Sequence, residues 1–424
     1  MARIIFKGEK KNGNEITICF INDLIMHTKI QEIAEKNIDN KISKSDEKLA
    51  SGYFHFFEKI AKYIQFSDSG FANLETPLGK NLAPIPKHDK NGRYITEEKK
   101  VSSEILHDDF VYGCFSKNFN THPCFALALK QIGFNIVNTA NNHPVDRLSN
   151  GIDKTIEILD KYNIDHFGSI EYKKTLKKNF KNPWDVKPYI IKNIDGIKIA
   201  FMGCTQFLNW NLLGDGYFKK PDEHKQIYRM GNESFFSRFN GKNIKHLIKW
   251  IKHAKTEGKA DIVIIYLHFG LNLFSNRNGH NPDFLQRSWA KKILENGADI
   301  IIGGHSHTLQ KAEKIITKDK RETFVSYSLG NFLSDYQNFN KDASVILYVT
   351  IIKNKDGVFI KKIQYLPTYS LSHIKNNEIN DIQIIPVDIN KELTDKIKNH
   401  YLKIFDKENL TTTAELEKEF KINK

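Results

Sequence analysis

Two histidines, His305 and His307, follow a pair of glycines in the run Ile300-Ile301-Ile302-Gly303-Gly304-His305-Ser306-His307. The isoleucines are β-branched and apolar, which suits a strand buried on both faces. The glycines end it and permit a tight turn. In α/β sheets ligands gather at the carboxyl ends of strands, and imidazole is the commonest metal ligand among side chains. The pair therefore reads as metal ligands; two solvated loop histidines are the plain alternative. Other polar residues recur in the same kind of position. Asp23 follows the apolar run 16–21, Glu75 lies just before Pro77, Asn142 and His143 follow 135–139, and His268 follows 261–266. An ionised carboxylate beside a buried strand is costly unless it is paired or bound to metal, although Asp23 alone also fits a turn or helix cap. With His143 set aside, Asp23, Glu75, Asn142, His268, His305 and His307 form a ligand set for two divalent ions, one carboxylate bridging. Oxygen with imidazole nitrogen and no thiolate suits Mn, Fe or Zn.

The elements that must position these residues alternate. Periodicity predicts helices over 28–66, 125–132, 152–162, 244–254 and 284–294, with Gly133 and Gly297 as stops. The aromatic face of the first (Tyr53, Phe54, Phe56, Phe57) reads as core. Strands are expected over 135–139, 190–203 (turning at Asp195-Gly196), 261–266, 323–329 and 343–365 (turning at Asp356-Gly357). This alternation predicts an α/β fold with a mostly parallel sheet. Two polar, irregular insertions interrupt it, 79–118 and 205–242; the first either covers the site or is disordered. Residues 1–370 are expected to form one domain, and 371–424 a charged, partly helical extension.

The chain has 424 residues and a formal charge of +14. The densest basic stretch, Lys173, Lys174, Lys177, Lys178 and Lys181, has only Phe180 interleaved. That is little for base stacking, so nucleic acid is disfavoured and an anionic small-molecule or polymer substrate is favoured. The four cysteines, Cys19, Cys114, Cys124 and Cys204, show no CxxC pairing and imply no disulfide framework. No apolar run approaches the roughly 20 residues of a membrane span. The N-terminus does not read as a signal peptide, so the expected location is cytoplasmic. No feature specifies an oligomeric state.

The runs Asn22-Asp23, Asn73-Leu74-Glu75, Ala140-Asn141-Asn142-His143, His268-Phe269-Gly270, Gly304-His305-Ser306-His307 and Ser328-Leu329-Gly330-Asn331-Phe332, in this order, resemble the CapA family. These are poly-gamma-glutamate capsule synthesis proteins, related to calcineurin-like metallophosphoesterases. The resemblance covers residues 16 to about 335. It implies a four-layer αββα sandwich of the metallo-dependent phosphatase type with a binuclear centre. Asp23, Glu75 and His307 would hold one ion, and Glu75, Asn142, His268 and His305 the other. His143 would be the catalytic acid, with Asp146 orienting it. Arg147, Arg277, His280 and Asn331 are candidate substrate contacts. Asn22, Phe269, Asn272 and Ser306 depart from the Gly, Trp, acidic residue and Pro usual in the family, which leaves the ligands intact but changes their surroundings. Three readings follow. The first is a hydrolase cleaving a phosphoester by metal-bound hydroxide attack. The second is a capsule-polymer enzyme acting on a gamma-glutamyl amide. The third is a non-catalytic assembly or binding protein with a vestigial site.

Overall fold

The first strand, β1 (Asn14–Leu24), carries Asp23 near its carboxyl end and lies in the middle of the larger of two sheets. The computed structural model of the chain describes residues 3–90, 92–102, 104–115, 117–206, 208–209, 223–230, 243–270 and 280–422. After β1 come β2 (Ser69–Leu74), two hairpins, β3 (Leu82–His88) with β4 (Tyr94–Glu98) and β5 (Gly113–Phe115) with β6 (Asn118–Asn120), then β7 (Phe134–Asn138) and β8 (Asp165–Phe167). The second sheet takes β9 (Tyr189–Ile194), β10 (Ile197–Thr205), β11 (Ile262–His268), β12 (Ile300–Gly304), β13 (Ala312–Ile316) and β14 (Glu322–Ser326). The chain then returns to the first sheet with β15 (Asn331–Leu333), β16 (Ala343–Asn354), β17 (Gly357–Lys375) and β18 (Glu378–Pro386).

The first sheet runs β18-β17-β16-β1-β2-β7-β8, with β15 beside the end of β1; the second runs β13-β14-β12-β11-β10-β9. Among the described residues seven strand pairings in these two sheets are parallel and five antiparallel, so both sheets are mixed. Parallel strands carry the helical crossovers, while β9, β13 and β16 to β18 are added antiparallel. Tight turns explain this. Gly357 has φ +130°, and Asn376 and Asn377 have φ +54° and +62°, the left-handed geometry that reverses a chain in two residues. β17 passes through residue 370, where the sequence places a boundary, and β18 pairs with it. Two helices follow, Lys391–Leu402 and Thr413–Ile422.

Side chains alternate between cores as a period of two requires. Ile16, Ile18 and Phe20 of β1 join Ile300 and Ile302 of β12 in a core between the sheets. Cys19 and Ile21 face the helices Thr28–Lys36, Ser45–Phe54 and Cys124–Ile132, where Tyr53, Phe56 and Phe57 are also buried. Ile301 faces the helices Ile244–Thr256 and Phe284–Glu295. The chain is therefore an α/β sandwich. Each fully buried aliphatic side chain contributes roughly 1.5–3 kcal/mol, so strands buried on both faces make a rigid platform for whatever stands at their ends. No described helix is long and apolar enough to cross a membrane.

Candidate metal centre

The carboxyl ends of β1, β2, β7, β11 and β12 bring all six expected ligands into one buried cluster. Asp23, Glu75, His268 and His305 are fully buried, and Asn142 and His307 nearly so. Asp23, Glu75 and His307 each point one donor atom into a group whose members lie within 4.8 Å of one another, close enough to hold a metal ion. A second convergence surrounds Nε2 of His268. It lies 2.7 Å from Asn142 Oδ1, 3.2 Å from His305 Nδ1 and 3.4 Å from Glu75 Oε1. Ligand atoms about 2.1 Å from one ion stand roughly 3 Å apart, so these spacings suit a shared cation.

The local backbone is specialised for this. His305 and His307 both have positive φ, +94° and +56°. Non-glycine residues in that region are uncommon and cluster at functional sites. A Cβ on Gly304 would collide with the Tyr266 hydroxyl and the Asn22 carboxamide, so only glycine lets the strand pass there. Tyr266 donates to Asn22 Oδ1 at 2.7 Å and ties the two sheets together under the cluster. Asn73 Nδ2 donates to Asp23 Oδ1 (2.8 Å), Asn138 Nδ2 to Asn73 Oδ1 (2.8 Å), and Asn141 Nδ2 to the Leu74 carbonyl (2.7 Å). This amide ladder fixes the acidic ligands.

The electrostatics ask for a cation. Burial pushes the Asp23 carboxyl up, but the hydrogen bonds from His307 and Asn73 are among the effects that outweigh it and leave it below the usual range. Burial, and then the neighbouring Asp23 charge, push Glu75 well up. Neither Glu75 oxygen has a hydrogen-bond partner among the described residues. Burial pushes His268 down to about 4, so its ring is neutral and able to ligate. Two buried carboxylates, one without a donor, beside neutral imidazoles fit a divalent ion.

His143 stands beside the cluster. Its Nδ1 lies 2.6 Å from Asp146 Oδ2, which also accepts the Phe119 backbone N–H at 2.7 Å. Burial disfavours the charged ring, but Asp146, helped by Glu75, outweighs this and holds it above the ordinary imidazole value. The Phe119 ring packs on His143 at 4.4 Å, and Asn209 Nδ2 sits 3.1 Å from Nε2.

Of the expected substrate contacts, Asn331, Arg147 and His280 lie among the described residues. Asn331 does reach the cluster, but as a partner of His307, whose Nδ1 is 2.9 Å from Asn331 Oδ1. Arg147 is fully buried, and its guanidinium donates to the carbonyls of Leu82, Asp146 and Val111. His280 Nδ1 meets the Leu309 carbonyl at 2.8 Å, and its ring meets His400 of the C-terminal part at 4.8 Å. Arg277 and Asn272 lie outside the described residues, as does most of 205–242. Sequence reasoning missed the supporting roles of Asn73, Asn138, Asn141, Tyr266, Phe119 and Asn209. A signal existed for the asparagines: amides closing otherwise apolar strands are out of place unless they hold something.

A sandwich whose strand ends gather buried carboxylates and imidazoles defines a protein able to hold metal. A family model described as bacterial capsule synthesis protein PGA_cap matches residues 17–336, and the chain belongs to that family. It is 25% identical over 342 residues to the capsule biosynthesis protein CapA of Bacillus anthracis, covering 80% of this chain and 64% of that protein. It is 24% identical over 397 residues to the PGA biosynthesis protein CapA of Bacillus subtilis (strain 168), covering 94% of this chain and 78% of that one. The chain thus spans just under two thirds of the Bacillus anthracis relative. A crystal structure of a hypothetical protein from Thermus thermophilus aligns with a TM-score of 0.38 at 9% identity, over 83% of this chain and 98% of that one, and is too distant to carry an argument.

Proposed function

We propose that this chain is a metal-dependent enzyme of capsule-polymer biosynthesis, acting on a gamma-glutamyl amide of an anionic polymer. The observation that carries this is Glu75, a buried carboxylate with no hydrogen-bond partner among the described residues, set where donor atoms from five strand ends converge. The polymer comes from the names of the two Bacillus relatives. The three-core packing supports the four-layer αββα arrangement of metallo-dependent phosphatases.

In this reading Asp23, Glu75 and His307 hold one divalent ion, and Glu75, Asn142, His268 and His305 a second, with Mn, Fe or Zn as candidates. Bound ions would supply Lewis acidity toward a carbonyl or phosphoryl oxygen and a nucleophile at neutral pH. The chain's own residues do the rest. Asp146 accepts a hydrogen bond from Nδ1 of His143, which leaves Nε2, here accepting from Asn209 Nδ2, as the atom that would carry the proton for the leaving group once Asn209 moves away. Such proton transfer is worth roughly 10²–10⁴-fold. Asn331 fixes His307, and the amide ladder fixes Asp23. Phe119 of β6, which pairs with β5, walls the site beside His143, and Arg147 ties Leu82 and Val111 of the insertion to the same loop.

A second reading, phosphoester hydrolysis, is favoured by the same His143–Asp146 pair, which suits protonation of a leaving oxygen. Assay of the Mn²⁺-loaded chain on gamma-linked glutamate oligomers, with and without an amine acceptor, and on p-nitrophenyl phosphate separates the two. The proposal expects gamma-glutamyl bond cleavage or transfer that is lost in Asp23→Ala and His305→Ala. Turnover of the ester alone would replace it with the second reading. No turnover of either by a fully metal-loaded chain would leave a binding or assembly role.

A further inference from the structure

Besides His143 with Asp146, a second imidazole–carboxylate pair stands near the cluster, and the proposed reaction does not use it. His27 Nδ1 lies 2.8 Å from Asp335 Oδ1. The His27 ring meets Phe119 edge-on at 5.3 Å and Tyr336 at 5.0 Å. Phe119 in turn packs on His143 at 4.4 Å, and Tyr336 on His307 at 5.6 Å. These rings form a continuous arc from the proposed acid to a proposed metal ligand, and His27 is its midpoint. Its side chain is 15% exposed, so the arc opens to solvent there.

Asp335 settles which atom faces outward. Its carboxylate Oδ1 lies 2.8 Å from Nδ1 and its backbone N–H donates to the same nitrogen at 3.4 Å, so Nδ1 is taken up on the Asp335 side and Nε2 is left over. No described residue takes Nε2 in a hydrogen bond. Lys341 stands over the same tyrosine, its Nζ 3.8 Å from the ring centroid, and no described carboxylate pairs with it. Burial lowers the Lys341 ammonium against the opposing charge of the neighbouring Asp342. An unpaired ammonium and a carboxylate-backed imidazole on one aromatic platform, next to a metal centre, have the chemistry of an oxyanion receptor.

We infer that His27, Tyr336 and Lys341 form an anion subsite beside the metal centre, which takes a second negative group of the substrate while its scissile bond lies at the cluster. This deepens the reading of the substrate as an anionic polymer and rests on it. The test measures binding to the Mn²⁺-loaded full chain of two probes, a fluorescent gamma-linked glutamate oligomer and inorganic tripolyphosphate, in wild type, His27→Gln and Lys341→Met. Each substitution should weaken binding about tenfold, the loss of one charge-assisted hydrogen bond, with metal content and melting temperature unchanged. Oligomer binding unaffected by both substitutions overturns the subsite and leaves the polymer reading standing. Binding of tripolyphosphate alone, weakened in the variants, upholds the subsite and removes the polymer. Wild type that binds neither probe overturns the inference. If His27→Gln does not fold, Lys341→Met decides, because it sits on a short, half-buried helical turn.

Discussion

Asp146 Oδ2 lies 2.6 Å from Nδ1 of His143 while accepting the Phe119 N–H at 2.7 Å, so one carboxylate oxygen joins the proposed acid to the hairpin insertion. The bond to the insertion limits how far Asp146 can swing, and Asp146 in turn fixes the tautomer of His143. Asp146→Asn should therefore lower kcat by about 10²–10⁴-fold with little change in KM, and should leave metal stoichiometry as in wild type. Steady-state kinetics beside elemental analysis would check this. Full activity in the variant would remove the positioning role.

Glu75 offers a prediction about metal removal. Without a cation, burial and the facing Asp23 charge push its carboxyl well up, and neither oxygen has a hydrogen-bond partner among the described residues, a costly arrangement. Wild type should gain about 2.7 kcal/mol of unfolding free energy when Mn²⁺ reaches a hundredfold excess over Kd, and lose it to chelator. Glu75→Gln should reverse the order: at least as stable as wild type in chelator, and nearly unresponsive to Mn²⁺. Denaturant titrations with and without metal measure both. A wild-type curve indifferent to Mn²⁺ and chelator would refute metal binding at this cluster.

His122 should shape the acid limb of stability. It is buried; its Nδ1 accepts the Cys124 N–H at 3.2 Å, and its ring meets Tyr112 edge-on at 5.0 Å. Burial pushes its pKa from 6.5 down to about 4. Between these values the unfolded chain takes up a proton that the folded chain refuses. Stability from this group is therefore full above pH 6.5, falls as pH drops, and levels off below about 4, a total of about 3 kcal/mol. His122→Gln should flatten the slope of unfolding free energy between pH 6.5 and 4. An identical slope in the variant would contradict the assignment.

What was legible in the sequence follows from local chemistry. Ile300–Ile302 read as a two-sided strand because no polar residue interrupts it, and the helix stops at Gly133 and Gly297 read correctly because both need positive φ, +115° and +110°. The six candidate ligands stood out because each follows such a run. The β16–β17 hairpin was legible from Asp356-Gly357, but the separate β3–β4 hairpin and the last strand of the first sheet, β18, were not. β3 carries Pro84 and Pro86, which deny ladder donors and suppress a strand reading. The last hairpin turns on Asn376-Asn377 between half-exposed, lysine-rich strands that lack a clean alternation. The supports under the cluster were hidden by their company. Tyr266 closes an apolar run and reads as core until its hydroxyl is seen to reach Asn22 across the sheets.

Arg147 shows how the same residue type serves opposite purposes. Beside a catalytic loop in a basic chain, it reads as an anion contact. In the fold its guanidinium is spent on three backbone carbonyls, two of them in the insertion, Leu82 and Val111, and burial lowers its pKa to about 10. Thr96 Oγ1 donates to its carbonyl from β4. Arg147 thus pins the hairpins to the loop that carries His143. Arg147→Met would remove one donor from each, and because Asn120 Nδ2 still donates to Leu82 and Val111, the Asp146 carbonyl is the one exposed to a loss of about 1–3 kcal/mol. The variant should lose unfolding free energy of that order and become more sensitive to protease within 79–118. An anion contact predicts the contrary: unchanged stability and cleavage pattern, with a raised KM for the anionic substrate. Equilibrium unfolding, limited proteolysis and KM on one preparation distinguish the two, and only the first pattern is consistent with a guanidinium enclosed by main chain.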